Sequence, residues 1–427
     1  MRRRIVGALA AALVLAATPL SAHAMPVHAM PVHAAPGDPA PGWPTQRTGG
    51  AWSAAVSQSG RVHTVAHPVP GEGSEVISLS STYNGTWPAP TEIPGYGGSV
   101  RAGSGAYGIA VSSGPDSFLV SREFVGGQWA APETIGELDY ATSFVTNTDG
   151  DAVVVWRAPD GLMAGLHPRG ASWTTLPVTG VPDNGYFAAT INDAGKVTVV
   201  WAEATGATTR AVRRTVLRPG ATTWTAPQTL GTVSPAGGAP RIVTDGQGRE
   251  TITAGDKLWR QQTTTSTPAY AFAVGQDAQL AAGTTDTRVV WPYRNGRYLS
   301  VRTRHFAQTS AGEGWGSTTT LWAKSYASGV PLLCRELVNI GVGIAPAGRS
   351  YVAFGVVARG GCPRSTLRLV TLDRTSTPLN DVVVSSYGYG TTPEVAVNAR
   401  GPVAVNFQAD GADNGWGDTN YLQFFSR

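Results

Sequence analysis

Charge is scarce in this chain. Asp, Glu, Lys and Arg supply 14% of the 427 residues against 42% hydrophobic, which excludes a disordered polyampholyte. Cysteine is nearly absent, and two residues, Cys334 and Cys362, cannot close a structural zinc site alone. Beyond the first 20 residues no apolar run approaches 18, so no membrane insertion is expected. Heptads on an Ala/Glu/Lys/Leu/Arg background are lacking, which excludes a coiled coil. No Gly-x-Ser-x-Gly elbow, His-Glu-x-x-His pair, Walker A loop, Gly-x-Gly-x-x-Gly fingerprint or EF-hand loop occurs. No cofactor and no metal site is expected.

What the chain has in plenty is punctuation: 53 Gly and 30 Pro, about a fifth of the chain, argue for many turns. At the start, Arg2-Arg3-Arg4 precede the apolar stretch Ile5 to Leu20, and Ala22-His23-Ala24 offers an Ala-x-Ala cleavage site. Residues 1–24 therefore read as a secretory signal peptide and the protein as secreted. Its removal takes away three Arg and leaves 29 basic against 28 acidic residues, a balance that gives no warrant for a nucleic-acid partner. Residues 25–42 hold the tandem copy Met-Pro-Val-His-Ala and a Pro-rich stretch, a flexible lead-in. In an exported chain a Cys334–Cys362 disulfide is the default.

From 43 to 427 the chain repeats itself. Gly85-Thr-Trp-Pro-Ala-Pro90 aligns with Gly127-Gln-Trp-Ala-Ala-Pro132, and Trp87, Trp129, Trp173 and Trp224 fall 42, 44 and 51 residues apart. Between them lies a second phrase, an apolar strand, a polar Gly turn and another apolar strand. Ser143 to Trp156 is the clearest copy, and Ala188 to Trp201 matches it. Weaker copies, with a diverged one at Gly103 to Val111, bring the count to eight units. No unit carries a 3.6-residue apolar stripe, whereas runs of β-branched and aromatic residues bounded by Asp-Gly or Gly-Gly read as strands. Ala152-Val-Val-Val-Trp156 is apolar at consecutive positions, so both faces of that strand must be covered.

A period of about 45 residues with four strands per unit is the spacing of propeller blades. The expected fold is thus all-β, a single β-propeller of four-stranded blades over 43–427. Eight blades follow from the count, with seven as the alternative because units five to seven diverge. The last unit supplies only three strands, so the stretch from Trp43 to Gly50 is expected to pair into the last blade and close the ring.

Turns such as Asn147-Thr-Asp-Gly150 and Asn192-Asp-Ala-Gly195 fall on one face and read as backbone-bonding turns. The opposite face gathers tyrosines in the connections: Tyr96, Tyr140, Tyr186, Tyr326, Tyr387 and Tyr389, joined by Tyr293, Arg294, Arg157 and Glu203. Flat rings with polar tips beside Arg and carboxylates suit sugars, which offer apolar C–H faces and hydroxyl rims. His305, among basic neighbours, is the best general-base candidate, although a cross-strand surface position is the plainer expectation.

The Gly-x-Trp-x-x-Pro and Asp-Gly-x-x-x-Val-Val-Trp phrases resemble those of the secreted sialidase-like (BNR-like) β-propellers of bacteria. The likeness spans 43–427 and implies the architecture. Ser-x-Asp-x-Gly-x-x-Trp boxes are absent and no sialidase active site is assignable, so it implies no sialidase activity. The leading expectation is a secreted, monomeric binding module for extracellular carbohydrate or cell-envelope polymer. A glycosidase or polysaccharide lyase is the alternative, with Glu203, Asp139, Asp183, Tyr186 and His305 as catalytic candidates in the central funnel. An extracellular protein-interaction platform is the third.

Overall fold

Alternating turn and strand chemistry builds one unit over and over. A computed structural model describes residues 46–47, 51–66, 76–82, 91–182, 185–234, 238–309, 312–326, 336–345, 348–357, 366–386, 393–397, 403–410 and 418–425. Among them the strands form eight antiparallel sheets, numbered here in chain order. Sheet 1 runs Ala51–Val56, Val62–Ala66, Val76–Thr82, Thr91–Pro94. Sheet 2 runs Tyr96–Ala102, Gly108–Ser113, Phe118–Val125, Glu133–Glu137, with Gln128–Trp129 as an extra short strand. Sheet 3 holds Tyr140–Thr146, Ala152–Ala158, Gly161–His167, Thr174–Pro177. Sheet 4 holds Tyr186–Ile191, Val197–Ala204, Arg210–Leu217, Gln228–Val233. Sheet 5 follows with Arg241–Thr244, Glu250–Ala254, Lys257–Arg260, Ala269–Ala273.

Sheet 6 has Gln279–Ala282, Thr287–Asn295 and a 12-residue third strand, Tyr298–Thr309, which pairs with both Gly312–Trp315 and Thr319–Ser325. Sheet 7 is Glu336–Ile344, Ser350–Val357, Thr366–Leu372, Pro378–Ser386. Sheet 8 is Glu394–Ala396, Val403–Asp410, Asp418–Phe425, and its fourth member is Gln46–Arg47, with Gln46 opposite Leu422. The divergent units five to seven each form a sheet of their own. Unit two begins earlier than the repeat suggests: its first hairpin opens at Tyr96, and its turn is Ser104-Gly105-Ala106 rather than Asp-Gly.

The first strand of each sheet packs on the first strand of the next, and Glu394–Ala396 packs on both Glu336–Ile344 and Ala51–Val56. Successive side chains of a strand point to opposite faces, so one strand serves two interfaces. Val153 and Val155 join the apolar cluster shared with sheet 4, while Val154 and Trp156 join the cluster shared with sheet 2. That is why the consecutive apolar run of Ala152 to Trp156 is buried throughout.

A second repeated device is a tryptophan laid on a glycine of the preceding sheet. A Cβ on Gly136 would lie 2.8 Å from the Trp156 ring, on Gly231 3.3 Å from Trp259, and on Gly275 2.7 Å from Trp291. Among the described residues no helix is long and apolar enough to cross a membrane.

Candidate functional site

Because every sheet is a meander, its first-to-second turn lies at one end and its entry from the previous sheet at the other. We call these the turn end and the entry end. At the entry end, Tyr140 and Tyr186 are the first residues of the first strands of adjacent sheets 3 and 4, and they are 51% and 55% exposed. The expected connections thus hand their tyrosines to strand starts. Behind them, buried Arg157 donates from Nη2 to the carbonyls of Pro182 (2.5 Å) and Gly185 (3.2 Å), and its guanidinium lies 5.5 Å from the Phe187 ring. This arginine anchors the connection that delivers Tyr186. The Arg210 guanidinium sits 5.4 Å from the Tyr186 ring centre, a cation–π contact.

Of the other expected tyrosines, two have side chains among the described residues. Tyr293 and Tyr326 belong to sheet 6, beyond sheet 5, and both are half-buried. The Arg302 guanidinium covers Tyr293 at 3.4 Å and the Lys324 Nζ covers Tyr326 at 5.1 Å. Arg294 is exposed beside them. Tyr96 also opens the first strand of its sheet, but its side chain lies outside the described residues. So do Tyr387, Tyr389, Asp183, Cys334 and Cys362.

Of the described catalytic candidates, Glu203, Asp139 and Tyr186 lie at the entry end and His305 does not. Glu203 pairs with Arg213, Oε1 to Nε at 2.6 Å, and accepts from Trp201 Nε1 at 3.3 Å. Asp139 is exposed, with its backbone N–H donating to the Arg157 carbonyl at 2.8 Å. His305 is neither at the surface nor near Tyr186. The long third strand of sheet 6 carries it to the turn end, where it is 5% exposed. There Nε2 lies 3.1 Å from Asp286 Oδ2, and Nδ1 donates to the Arg374 carbonyl of sheet 7. Among the described residues no cluster of His, Cys, Asp and Glu could hold a metal ion.

At the turn end the polar turns do bond their own backbone. Asn147 Oδ1 accepts from the N–H groups of Gly150 and Asp151, and Asn192 Oδ1 from that of Lys196. Charge is buried beneath them, unannounced by any short-range pattern. Asp245 Oδ2 receives Arg249 Nε at 3.0 Å and Arg260 Nη2 at 2.7 Å, and Arg249 Nη1 also meets Glu313 of sheet 6. Burial holds the Arg260 guanidinium below its usual pKa while Asp245 acts in the opposite direction. Buried Glu250 takes Lys196 Nζ at 2.8 Å, the Thr198 hydroxyl at 2.7 Å and Arg214 at 2.5 Å.

Two cavities open at this end. One of about 480 Å³ lies between sheets 4 and 5, lined by Asn192, Lys196, Pro219, Gln247 and Thr264 among others. The other, about 250 Å³, lies between sheets 5 and 6, where Tyr270, Phe306, Glu313 and Trp315 line it with Arg260 and Gln262. Sequence reasoning missed these residues because Gly312-Glu-Gly-Trp-Gly316 keeps the tryptophan but neither the Gly-x-Trp spacing nor the proline. Three described tryptophans, Trp129, Trp173 and Trp315, share a job, packing on the preceding sheet. Trp129 lies 5.7 Å from the His63 ring, Trp173 donates to Ser121 Oγ at 2.7 Å, and Trp315 lies 5.0 Å from Phe272.

No family model matches the chain, and no curated protein matches it. Solved structures do. The chain is similar to a fungal lectin from Aleuria aurantia, described as a six-bladed β-propeller with a novel fucose recognition mode. Identity is 14% over 67% of this chain and 93% of that one, with a TM-score of 0.38. It is similar to BamB from Moraxella catarrhalis at 12% identity over 87% and 96%, TM-score 0.42. It is also similar to the WD40 domain of SCAP from fission yeast at 8% identity over 88% and 96%, TM-score 0.46. These neighbours are β-propeller proteins.

Proposed function

We propose that this chain is an exported β-propeller of eight blades that binds extracellular carbohydrate or cell-envelope polymer at its entry end. The observation that carries the binding reading is the pair Tyr140 and Tyr186, two half-exposed rings at the same position of neighbouring sheets. A ring left half in water at an ordered strand start keeps an apolar face for sugar C–H groups. Arg210 and Asp139 beside them offer a donor and an acceptor for hydroxyls. Support for a closed ring comes from the Gln46–Leu422 pairing and from Glu394. Its carboxylate accepts from the Ala54 N–H of sheet 1 at 2.9 Å and from Arg101 Nη1 of sheet 2 at 3.2 Å. Export rests on the basic, apolar and Ala-x-Ala segments of residues 1–24, and the exported protein is expected to begin at Met25.

A glycan array with the purified protein tests the binding reading. The double variant Tyr140→Ala/Tyr186→Ala is expected to weaken at least one polymeric hit roughly tenfold or more, whereas Tyr186→Phe stays near the parent. Unchanged binding by the double variant, or silence on every glycan, would reject it.

A further inference from the structure

We infer that the 250 Å³ cleft between sheets 5 and 6, at the turn end, is a second saccharide site shaped for a single neutral pyranose unit. Its volume falls below the roughly 300–1,000 Å³ of sites for drug-sized ligands, so one sugar ring, not a chain, matches it. The wall is amphipathic. Tyr270, Phe306 and Trp315 supply rings, while Gln262 and Glu313 supply an amide and a carboxylate. Tyr270 is 56% exposed, a large ring that packing leaves open beside a concavity.

The remaining wall groups are held in place before any ligand arrives. Trp315 is fixed edge-on by Phe272 at 5.0 Å and by Phe306 at 5.4 Å. Phe306 in turn lies 3.8 Å beneath the Arg260 guanidinium, whose Nη1 is tied to Thr251 and Thr287 and whose Nη2 is tied to Asp245. Rigid support of this kind spares a ligand the cost of ordering its site. The charge balance selects against acidic sugars. Arg249 and Arg260 are matched by Asp245 and Glu313, leaving no spare cation in the wall for a uronate or a sulfate. Glu313 binds Arg249 through Oε2 alone, and its Oε1 remains an acceptor suited to sugar hydroxyls.

This site stands on observations separate from Tyr140 and Tyr186, which lie at the opposite end, so the two can be broken independently. The full chain is titrated with a panel of neutral methyl hexopyranosides and with methyl glucuronide, read by saturation-transfer NMR. At least one neutral glycoside is expected to bind, and to bind equally in Tyr140→Ala/Tyr186→Ala. Tyr270→Ala is expected to weaken it roughly tenfold, while Tyr270→Phe, which keeps the ring, stays within about threefold. Because Tyr270 is exposed, Tyr270→Ala should melt with the parent, and that is checked alongside. Insensitivity to Tyr270→Ala, preference for the glucuronide, or no neutral binding would overturn the inference. Loss in the Tyr140/Tyr186 variant alone would overturn it too while sustaining the entry-end reading; loss in Tyr270→Ala alone is the expected result and leaves the entry-end reading to the glycan array.

Discussion

Sheets 3 and 4 meet through Val153, Val155, Leu162, Val199 and Trp201, all buried and all apolar. Two sheets further on, the contact between sheets 5 and 6 combines a smaller apolar cluster around Leu258, Val289 and Trp291 with the Asp245, Arg249, Arg260 and Glu313 network. The strand plan is the same in both regions. Where the repeat is kept closely, branched side chains interdigitate to crystal-like density. Where it has drifted, guanidinium and carboxylate groups must meet at hydrogen-bonding distance and cannot fill the remaining space, and an open cleft stays beside them. Divergence of the repeat and the presence of a shaped cavity coincide here.

Breaking the polar interface should give the largest effect. Asp245→Ala leaves buried Arg260 without a carboxylate and Arg249 with Glu313 alone, and is expected to cost about 5 kcal/mol, at the upper end for a broken buried pair, measured by denaturant unfolding. Trp201→Ala in the apolar interface should cost about 4 kcal/mol through lost burial and the cavity left behind. A smaller loss from Asp245→Ala than from Trp201→Ala would show that the drifted interface is the softer of the two.

Acid should expose a third kind of interface. His63, between sheets 1 and 2, packs 5.0 Å from Phe124 and 5.7 Å from Trp129. Burial, helped by Arg61, pulls its pKa from 6.5 down to about 3. The unfolded chain therefore takes up the proton first, and stability falls as pH drops from 6.5 towards 3, by about 1.4 kcal/mol per unit. Near pH 4.5 this reaches about 3 kcal/mol relative to pH 7, and His63→Phe should lose that part of the slope.

The finest test compares two glycines. Gly136→Ala drives a Cβ to 2.8 Å from Trp156 and should cost about 1–3 kcal/mol. At Gly314, in the cleft wall, an added Cβ meets nothing within 4 Å, and Gly314→Ala should stay within about 0.5 kcal/mol. Equal costs would mean that the cleft closes in solution.

Much of the fold could be read from residues alone, and the reason is local. Val197-Thr-Val-Val-Trp201 announces a strand covered on both faces, and Asn192-Asp-Ala-Gly195 announces its turn, because strand period and turn chemistry are short-range properties. The site was less legible. Tyr140 and Tyr186 open neighbouring first strands, but Tyr293 gained a cation over its ring from Arg302, a partner that only strand register supplies. His305 looked like a surface base among arginines; twelve residues of strand carried it under the turns of sheets 6 and 7 instead.

By itself the sequence determined the strands, the turns and the repeat of about 45 residues, since each depends on side chains a few positions apart. Only the tertiary structure decided which charges are buried together and where space is left over. Asp245 meets Arg260 and Arg249 meets Glu313 across 15 and 64 residues. Pairings of that kind are set by how sheets stack, and no short-range pattern in the chain encodes them.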